Sequence, residues 1–130
     1  CNLAIMTDSP TRGVFDVAVT DEDGVSVVVV DGEVDMISAR RLADVAFEAA
    51  SSADGGLVVD LAGVSFLSSS GITVLLRTLG HLPTGATAAF VAPHPAARRP
   101  ITLSGLDREA QSWPDRAAAV EAIRSGNPVQ

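Results

Sequence analysis

Three consecutive serines, Ser68, Ser69 and Ser70, are the residues of this chain whose type and position best suit chemistry. They stand between an apolar segment and Gly71, where the spacing of apolar residues predicts that a helix begins. The amino terminus of a helix presents unpaired backbone N–H groups and a partial positive charge. A serine hydroxyl there can cap the helix, and a phosphate there would be stabilised. The residues alone leave both roles open, although one capping serine with two turn-filling neighbours is the commoner arrangement.

Two predicted elements position these serines. The run Leu57–Val59 is apolar at every residue, which predicts a strand buried on both faces that ends at Asp60. Gly80 is predicted to end the following helix in the left-handed conformation. Between the serines and Gly80, apolar residues recur with the spacing of one helix face, at Ile72, Leu75, Leu76 and Leu79.

The segment before these elements predicts a hairpin and a first helix. Residues 1–13 are mostly polar and are expected to form a flexible amino-terminal segment. Alternation in residues 14–20 and β-branched residues in 25–30 predict two antiparallel strands, after which residues 31–35 are predicted to leave the sheet. Ser38 is the expected N-cap of the first helix. The buried stripe of that helix is predicted at Leu42, Val45, Ala46 and Ala49.

The segment after Gly80 predicts two more strands and two more helices. Residues 86–91 predict a strand, and residues 109–113 predict a short strand at the edge of the sheet. Because proline inside a helix removes a backbone donor, Pro100 is predicted to begin a short helix that ends at Gly105. Residues 115–125 predict a last helix, whose inward-facing side chains are Ala119, Val120 and Ile123.

This order of elements predicts an α/β fold. The expected sheet is mixed, mostly parallel after the amino-terminal hairpin, with helices packed on it. Residues 14–125 of the 130-residue chain form the single predicted domain. The two most continuously apolar strands, 25–30 and 57–61, are predicted to lie side by side at the centre of the sheet.

The composition excludes several classes of partner. The net charge is −7, and all nine basic residues are arginine. This balance argues against nonspecific binding of nucleic acid or of an anionic membrane. No apolar run approaches the roughly 18 residues of a transmembrane helix, and no signal peptide is recognisable. The single cysteine, Cys1, excludes an internal disulfide, and a cytoplasmic protein is therefore predicted.

Catalytic and metal sites are not predicted either. His81 and His94 each lack a neighbouring nucleophile or orienting group, and a chain without lysine has no phosphate-binding P-loop. Asp31, Glu33 and Asp35 are acidic, but the remaining ligands of a calcium loop are missing. The residues therefore predict a binding module without enzyme activity, cofactor or metal.

The serine loop and its flanks resemble the core of a STAS domain, the family of anti-sigma factor antagonists and sulfate-transporter carboxy-terminal domains. The family loop runs aromatic, apolar, Asp, Ser, Ser or Thr, Gly, and residues 66–71 read Phe-Leu-Ser-Ser-Ser-Gly. Residues 31–35, 59–61 and 98–107 match further family segments in the same order. The resemblance covers about residues 14–125, and in this family the helix that would contain Pro100 is usually unbroken.

This resemblance implies a partner switch. The unmodified antagonist binds an anti-sigma factor that is also a serine kinase, and the sigma factor is released. Phosphorylation of the serine before the glycine, which corresponds to Ser70, ends the binding. Because strand-to-helix connections gather at one edge of an α/β sheet, the partner-binding residues are predicted there. They are Asp31, Glu33, Asp35, Ser38, Ser68, Ser69, Gly71 and Ile72.

Ser68 departs from the family, because the family residue at this position is aspartate. A serine can still cap the helix, although it brings no charge. Either the chain is phosphorylated at Ser70, or it binds its partner constitutively and is regulated otherwise. The alternative function is a non-phosphorylated STAS scaffold or small-molecule-sensing module. A kinase partner favours the switch, whereas a ligand-dependent rise in melting temperature without a protein partner favours the alternative.

Overall fold

A mixed sheet is the centre of the computed structural model, which describes residues 14–126. The first two strands pair antiparallel, and each later neighbouring pair is parallel, as the sequence predicts. The segment 1–13, which was expected to be flexible, lies outside the described residues. In spatial order the strands are β1 (Phe15–Glu22), β2 (Val25–Val34), β3 (Leu57–Leu67), β4 (Ala88–Val91) and β5 (Gln111–Trp113).

Helices cover both faces of this sheet. Within residues 14–126 they are α1 (Ser38–Ser51), α2 (Ser69–Leu79), α3 (Pro95–Ser104) and α4 (Arg116–Arg124), with a 3₁₀ turn at Leu106–Arg108. The first three share one hydrophobic core with one face of the sheet, and α4 packs on the other face. None of the helices in this range is long and apolar enough to cross a membrane.

β3 is buried on both of its faces. Val59 is fully buried on the α1–α3 side, with Val28 of β2 and Phe90 of β4 as its partners in register. Val58 is fully buried on the other side, in the core that contains Ile123 of α4. The prediction that 25–30 and 57–61 lie side by side in the sheet centre is confirmed.

β2 and β3 continue further than the sequence predicts. Residues 31–34 remain in β2, so the prediction that the chain leaves the sheet at Asp31 is wrong. Register shifts after Val29 and after Gly32 let the acidic segment stay paired with β3. As a result, Glu33 and Val34 lie beside Phe66 and Leu67 at the ends of the two strands.

Asp60 does not end β3, because its buried carboxylate has partners. One oxygen accepts a hydrogen bond from Ala62 N at 3.0 Å, and the other accepts from Arg116 Nε at 2.8 Å. Arg116 also contacts Glu22 at the end of β1, at 2.9 Å. Since these partners satisfy the charge, the strand tolerates an aspartate at its centre.

Two predicted helix ends are wrong. Gly80 has a φ of −71°, so α2 ends without a left-handed residue. Pro100 lies inside α3 rather than at its start. Ala97 and Ile101, on either side of it in the sequence, are buried and hold the helix against the core. The missing proline N–H costs one backbone hydrogen bond, which this packing offsets. α3 does end at Gly105, which is left-handed with a φ of +82°.

The first and last described residues lie at opposite ends of the parallel strands. β1 begins at Phe15, which pairs with Gly32 near the carboxyl end of β2. α4 ends at the other edge, where Ile123 occupies the space that a side chain on Gly56, just before β3, would need.

Candidate functional site

The carboxyl ends of β2 and β3 and the amino ends of α1 and α2 meet at one edge of the sheet. We refer to residues 31–38 and 66–72 as the serine edge. Ser68 N donates to Val34 O at 2.9 Å, so the loop after β3 is tied to the end of β2. This connection brings the acidic segment and the serine loop together, as the sequence predicts for strand-to-helix connections.

The three serines of the loop have different roles. Ser68 is the N-cap of α2, and its Oγ accepts a hydrogen bond from Gly71 N at 3.2 Å. The hydroxyls of Ser69 and Ser70 form no hydrogen bond with any residue in 14–126. Ser69 is exposed, whereas Ser70 is half-buried on the side that faces α1. The cap is therefore supplied by Ser68, and two hydroxyls remain available for chemistry.

Gly71 lets α2 pack closely on the sheet. It is buried, and a Cβ at this position would lie 2.6 Å from Leu67 Cδ1 and 2.8 Å from Val34 Cγ1. Any side chain at 71 would push the start of α2 outward. Gly71 therefore determines how closely α2 approaches the sheet at the serine edge, and it does not contribute to the surface there.

Asp35, rather than Ser38, caps α1. Asp35 Oδ1 accepts hydrogen bonds from Ile37 N at 2.9 Å and from Ser38 N at 2.8 Å. Ser38 is the first residue of the helix and is buried, with its Oγ donating to Glu33 O at 2.8 Å. The prediction that Ser38 is the N-cap is thus wrong, because the side chain of Asp35 accepts the hydrogen bonds from the free N–H groups at the start of the helix. These hydrogen bonds, above all the one from Ser38 N, lower the pKa of the Asp35 carboxyl.

We expect acid to release this cap. A carboxyl whose pKa is lowered by folding stabilises the protein above its unfolded pKa of about 3.9, and this contribution is lost as the pH falls through the lower folded value. Asp35→Asn keeps an acceptor oxygen but cannot ionise. In urea unfolding between pH 7 and pH 3, this variant should therefore lose less stability than the wild type on acidification.

The matched control for this measurement is Asp44→Asn. Asp44 is exposed on α1, and its carboxylate has no hydrogen bond within the described range. This variant should keep the wild-type acid profile. An Asp35→Asn profile as steep as that of the wild type would contradict the assignment of the cap.

Large apolar side chains are exposed at the serine edge. Met36 is 70% exposed, Ile37 is 77% exposed and Phe66 is 49% exposed. Sequence reasoning did not identify Met36 and Ile37 as surface residues. The available signal was two adjacent large apolar residues in a segment predicted to lie outside regular structure. Clustered apolar exposure of this kind marks interaction sites on soluble proteins.

A groove of about 400 Å³ lies between α1 and α2 and opens at the serine edge. We refer to it as the α1–α2 groove. At the other end of the two helices, the Phe47 and His81 rings are stacked with centroids 4.2 Å apart. Arg40 and Arg77 were missed by sequence reasoning, although Arg77 follows Ser70 at the seven-residue spacing of one helix face. The groove is lined by Met36, Ala39, Arg40, Ala43, Phe47, Ser70, Thr73, Val74 and Arg77.

The remaining predicted site residues lie around this edge. Asp31 is exposed on β2 and pairs in register with Asp16 of β1, while Glu33 and Ile72 are half-buried. Asp31 Oδ1 lies where a side chain on Gly63 would be, which explains the glycine there. Within residues 14–126, no group of three His, Cys, Asp or Glu side chains could hold a metal ion.

Comparisons with known proteins agree on one family. The STAS domain family matches residues 16–119. Anti-sigma-F factor antagonist RsfB of Mycobacterium tuberculosis is 34% identical over 110 residues, which cover 85% of this chain and 90% of RsfB. The crystal structure of an anti-sigma factor antagonist from Mycobacterium paratuberculosis is similar with a TM-score of 0.83 and 38% identity, covering 88% of this chain and 97% of that one. The phosphorylated form of the Bacillus cell fate determinant SpoIIAA shares the fold at 19% identity and a TM-score of 0.63, covering 85% of this chain and all of SpoIIAA.

Proposed function

This chain belongs to the STAS domain family, among the anti-sigma factor antagonists, and we propose that it binds an anti-sigma factor and thereby releases a sigma factor. The observation that carries the proposal is the serine edge. Exposed Met36, Ile37 and Phe66 lie at the same edge as a loop with two free serine hydroxyls. In this proposal the protein acts in the cytoplasm as a binding module, with no reaction or cofactor of its own.

The residues of the serine edge would contribute in two ways. The exposed side chains of Asp31, Asp35 and Ser69, together with half-buried Glu33 and Ile72, would contact the anti-sigma factor. The other three predicted residues would act through shape: Ser38 and Gly71 are buried, and Ser68 is engaged as a cap. The apolar side chains would supply most of the buried area, and the acids would steer a partner with a basic face.

Phosphorylation of Ser70 would end the binding. An anti-sigma factor of the serine kinase type would transfer the γ-phosphoryl group of ATP to Ser70 Oγ. The new O–P bond forms as the bond to ADP breaks, and the hydroxyl proton passes to a base of the kinase. The product carries a charge of about −1.5 to −2 at the centre of the interface, where it must be desolvated. Two features support Ser70: its hydroxyl is free, and it lies at the mouth of the α1–α2 groove.

We expect intact mass measurement to identify the acceptor. The purified protein is incubated with ATP and the anti-sigma factor kinases of the same organism. Wild type and Ser69→Ala should each gain one phosphoryl group, and Ser70→Ala should gain none. Ser68→Asp, which restores the family residue, should be phosphorylated faster than the wild type if the missing aspartate slows the kinase reaction. Calorimetric binding should show tenfold or greater weakening after phosphorylation, and Ser70→Ala should bind with or without ATP.

Three outcomes would change the assignment. Phosphate on Ser70→Ala but not on Ser69→Ala would move the acceptor to Ser69. An unphosphorylated wild type that still binds the kinase would mean that recognition remains without chemical regulation. Failure of the unmodified protein to bind any anti-sigma factor, with a melting temperature that rises with a small ligand, would favour the sensing module.

A further inference from the structure

The α1–α2 groove is lined both by a positive side chain, Arg40, and by the predicted phosphate acceptor, Ser70. Arg40 is the third residue of α1 and Ser70 is the second residue of α2. The two helices follow adjacent parallel strands and begin at the same edge of the sheet. With a rise of about 1.5 Å per residue, Arg40 and Ser70 lie at nearly the same depth on the two walls of the groove.

A second arginine lines the same groove from the wall that carries Ser70. Arg77 is two helical turns beyond Ser70 on the same face of α2. Side chains on a helix lean toward its amino terminus, so the long Arg77 side chain can reach back along the groove toward Ser70. The groove between them is floored by small side chains, Ala39 and Ala43, which leave room for a phosphoryl group.

These two arginines are unpaired in a chain with an excess of acids. The chain has 16 acidic residues and nine arginines. Arg116 and Arg124 form ion pairs, Arg98 donates to Pro93 O, and Arg41 lies over the Phe15 ring. The guanidinium groups of Arg40, Arg77, Arg99 and Arg108 have no hydrogen bond or ion pair with any residue from 14 to 126, and of these four arginines Arg40 and Arg77 line the groove.

Guanidinium groups match the geometry of phosphate oxygens and bind them through paired hydrogen bonds. Two unpaired guanidiniums on one groove repel each other, and a dianion between them would remove that repulsion. The backbone N–H groups of Ser69 and Ser70 would add to the attraction, since Ser68 accepts only from Gly71 N, through its side chain, and from Ile72 N, through its carbonyl oxygen.

We propose that the phosphoryl group on Ser70 is held within the protein, in the α1–α2 groove, by Arg40 and Arg77. This inference rests on the proposed function for the phosphorylation of Ser70 itself. Modification then does more than add charge to the serine edge. It also neutralises the two cations of the groove, and it fills the groove between the two helices that carry the site.

The test places phosphoserine at position 70 of the full chain during translation, so that neither a kinase nor a partner is needed. The phosphate is titrated by ³¹P NMR at about 0.15 M salt, where exposed charges beyond about 8 Å are largely screened. Free phosphoserine has a second pKa of about 6. We expect the pKa in the protein to be about 1 unit lower than in the Arg40→Gln/Arg77→Gln double variant, because close positive charges favour the dianion.

Arg41→Gln is the matched control for the Arg40→Gln change, since it removes one charge from the next residue of α1, outside the groove. Its phosphate should titrate as in the wild type. Arg40 and Arg77 are exposed helix positions, so the double variant should fold, and circular dichroism verifies this. As a second readout, phosphorylation should raise the melting temperature of the wild type more than that of the double variant.

Equal phosphate pKa values in the wild type and the double variant would overturn the inference. An equal shift in Arg41→Gln would overturn it as well, because the effect would then depend on net charge and not on the groove. Either result leaves the proposed function intact, since kinase labelling and partner binding are measured separately. Conversely, loss of the partner interaction would leave the titration unaffected.

Discussion

We expect Val59→Asp to abolish the cooperative unfolding transition of this domain. Val59 is fully buried in the central strand, between Val28 and Phe90, and it faces the core beneath α1–α3. The new carboxylate would have no partner there, and burying an unpaired charge costs several kcal/mol. The lost valine burial adds about 1.5–3 kcal/mol. Together these costs match the whole stability of a typical domain, about 5–15 kcal/mol.

The comparison for this variant is Val19→Asp. Val19 is 48% exposed on the edge strand β1, so its replacement should cost about 1 kcal/mol and leave the fold intact. Circular dichroism during thermal and urea unfolding separates the two variants. A folded Val59→Asp protein with the wild-type melting curve would show that β3 is not the buried centre of the sheet.

Asp60→Ala should lower the free energy of unfolding by about 2–3 kcal/mol. The variant leaves the half-buried Ala62 N–H without its acceptor, and an unsatisfied donor costs about 1–3 kcal/mol where water does not reach it. The ion pair with Arg116 contributes less, at most about 1 kcal/mol, because the Arg116 side chain is 36% exposed and can turn to water. Asp60 is nevertheless the main reason that the pKa of Arg116 is raised, ahead of Glu22.

Asp60→Asn separates the hydrogen bond from the charge. It keeps an acceptor for Ala62 and loses only the interaction with Arg116, so it should cost less than about 1 kcal/mol. Urea unfolding at pH 7 measures both variants. If Asp60→Asn lowered the free energy of unfolding as much as Asp60→Ala, the ion pair would be the dominant interaction and this ranking would be wrong.

The pattern of apolar residues was sufficient to predict the positions of the central strands but not their lengths. The apolar runs at 25–30 and 57–59 placed the two central strands correctly, since only buried strands are apolar on both faces. Their extension to Val34 and Leu67 depends on partners that are distant in sequence. Asp60 can remain in a strand because Arg116, 56 residues later, reaches its carboxylate. No local pattern contains that information.

The serine loop was predictable because its geometry is local. A serine three residues before the N–H that it caps is a short-range pattern, and Ser68 follows it. The α1 cap was assigned wrongly, because Asp35 and Ser38 are both good caps and only the observed backbone geometry selects the aspartate. The α1–α2 groove could not be predicted, since Arg40 and Arg77 line one groove only after two helices have packed.

The opposite locations of the two ends of the described chain determine how the protein should be attached in binding experiments. Residue 14 lies next to Gly32, close to the serine edge, so a fluorophore or fusion domain placed before β1 would crowd an incoming partner. α4 ends beside Gly56, at the far edge of the sheet. Immobilisation through the carboxyl-terminal side of α4 would therefore orient the serine edge toward the solution and leave it accessible.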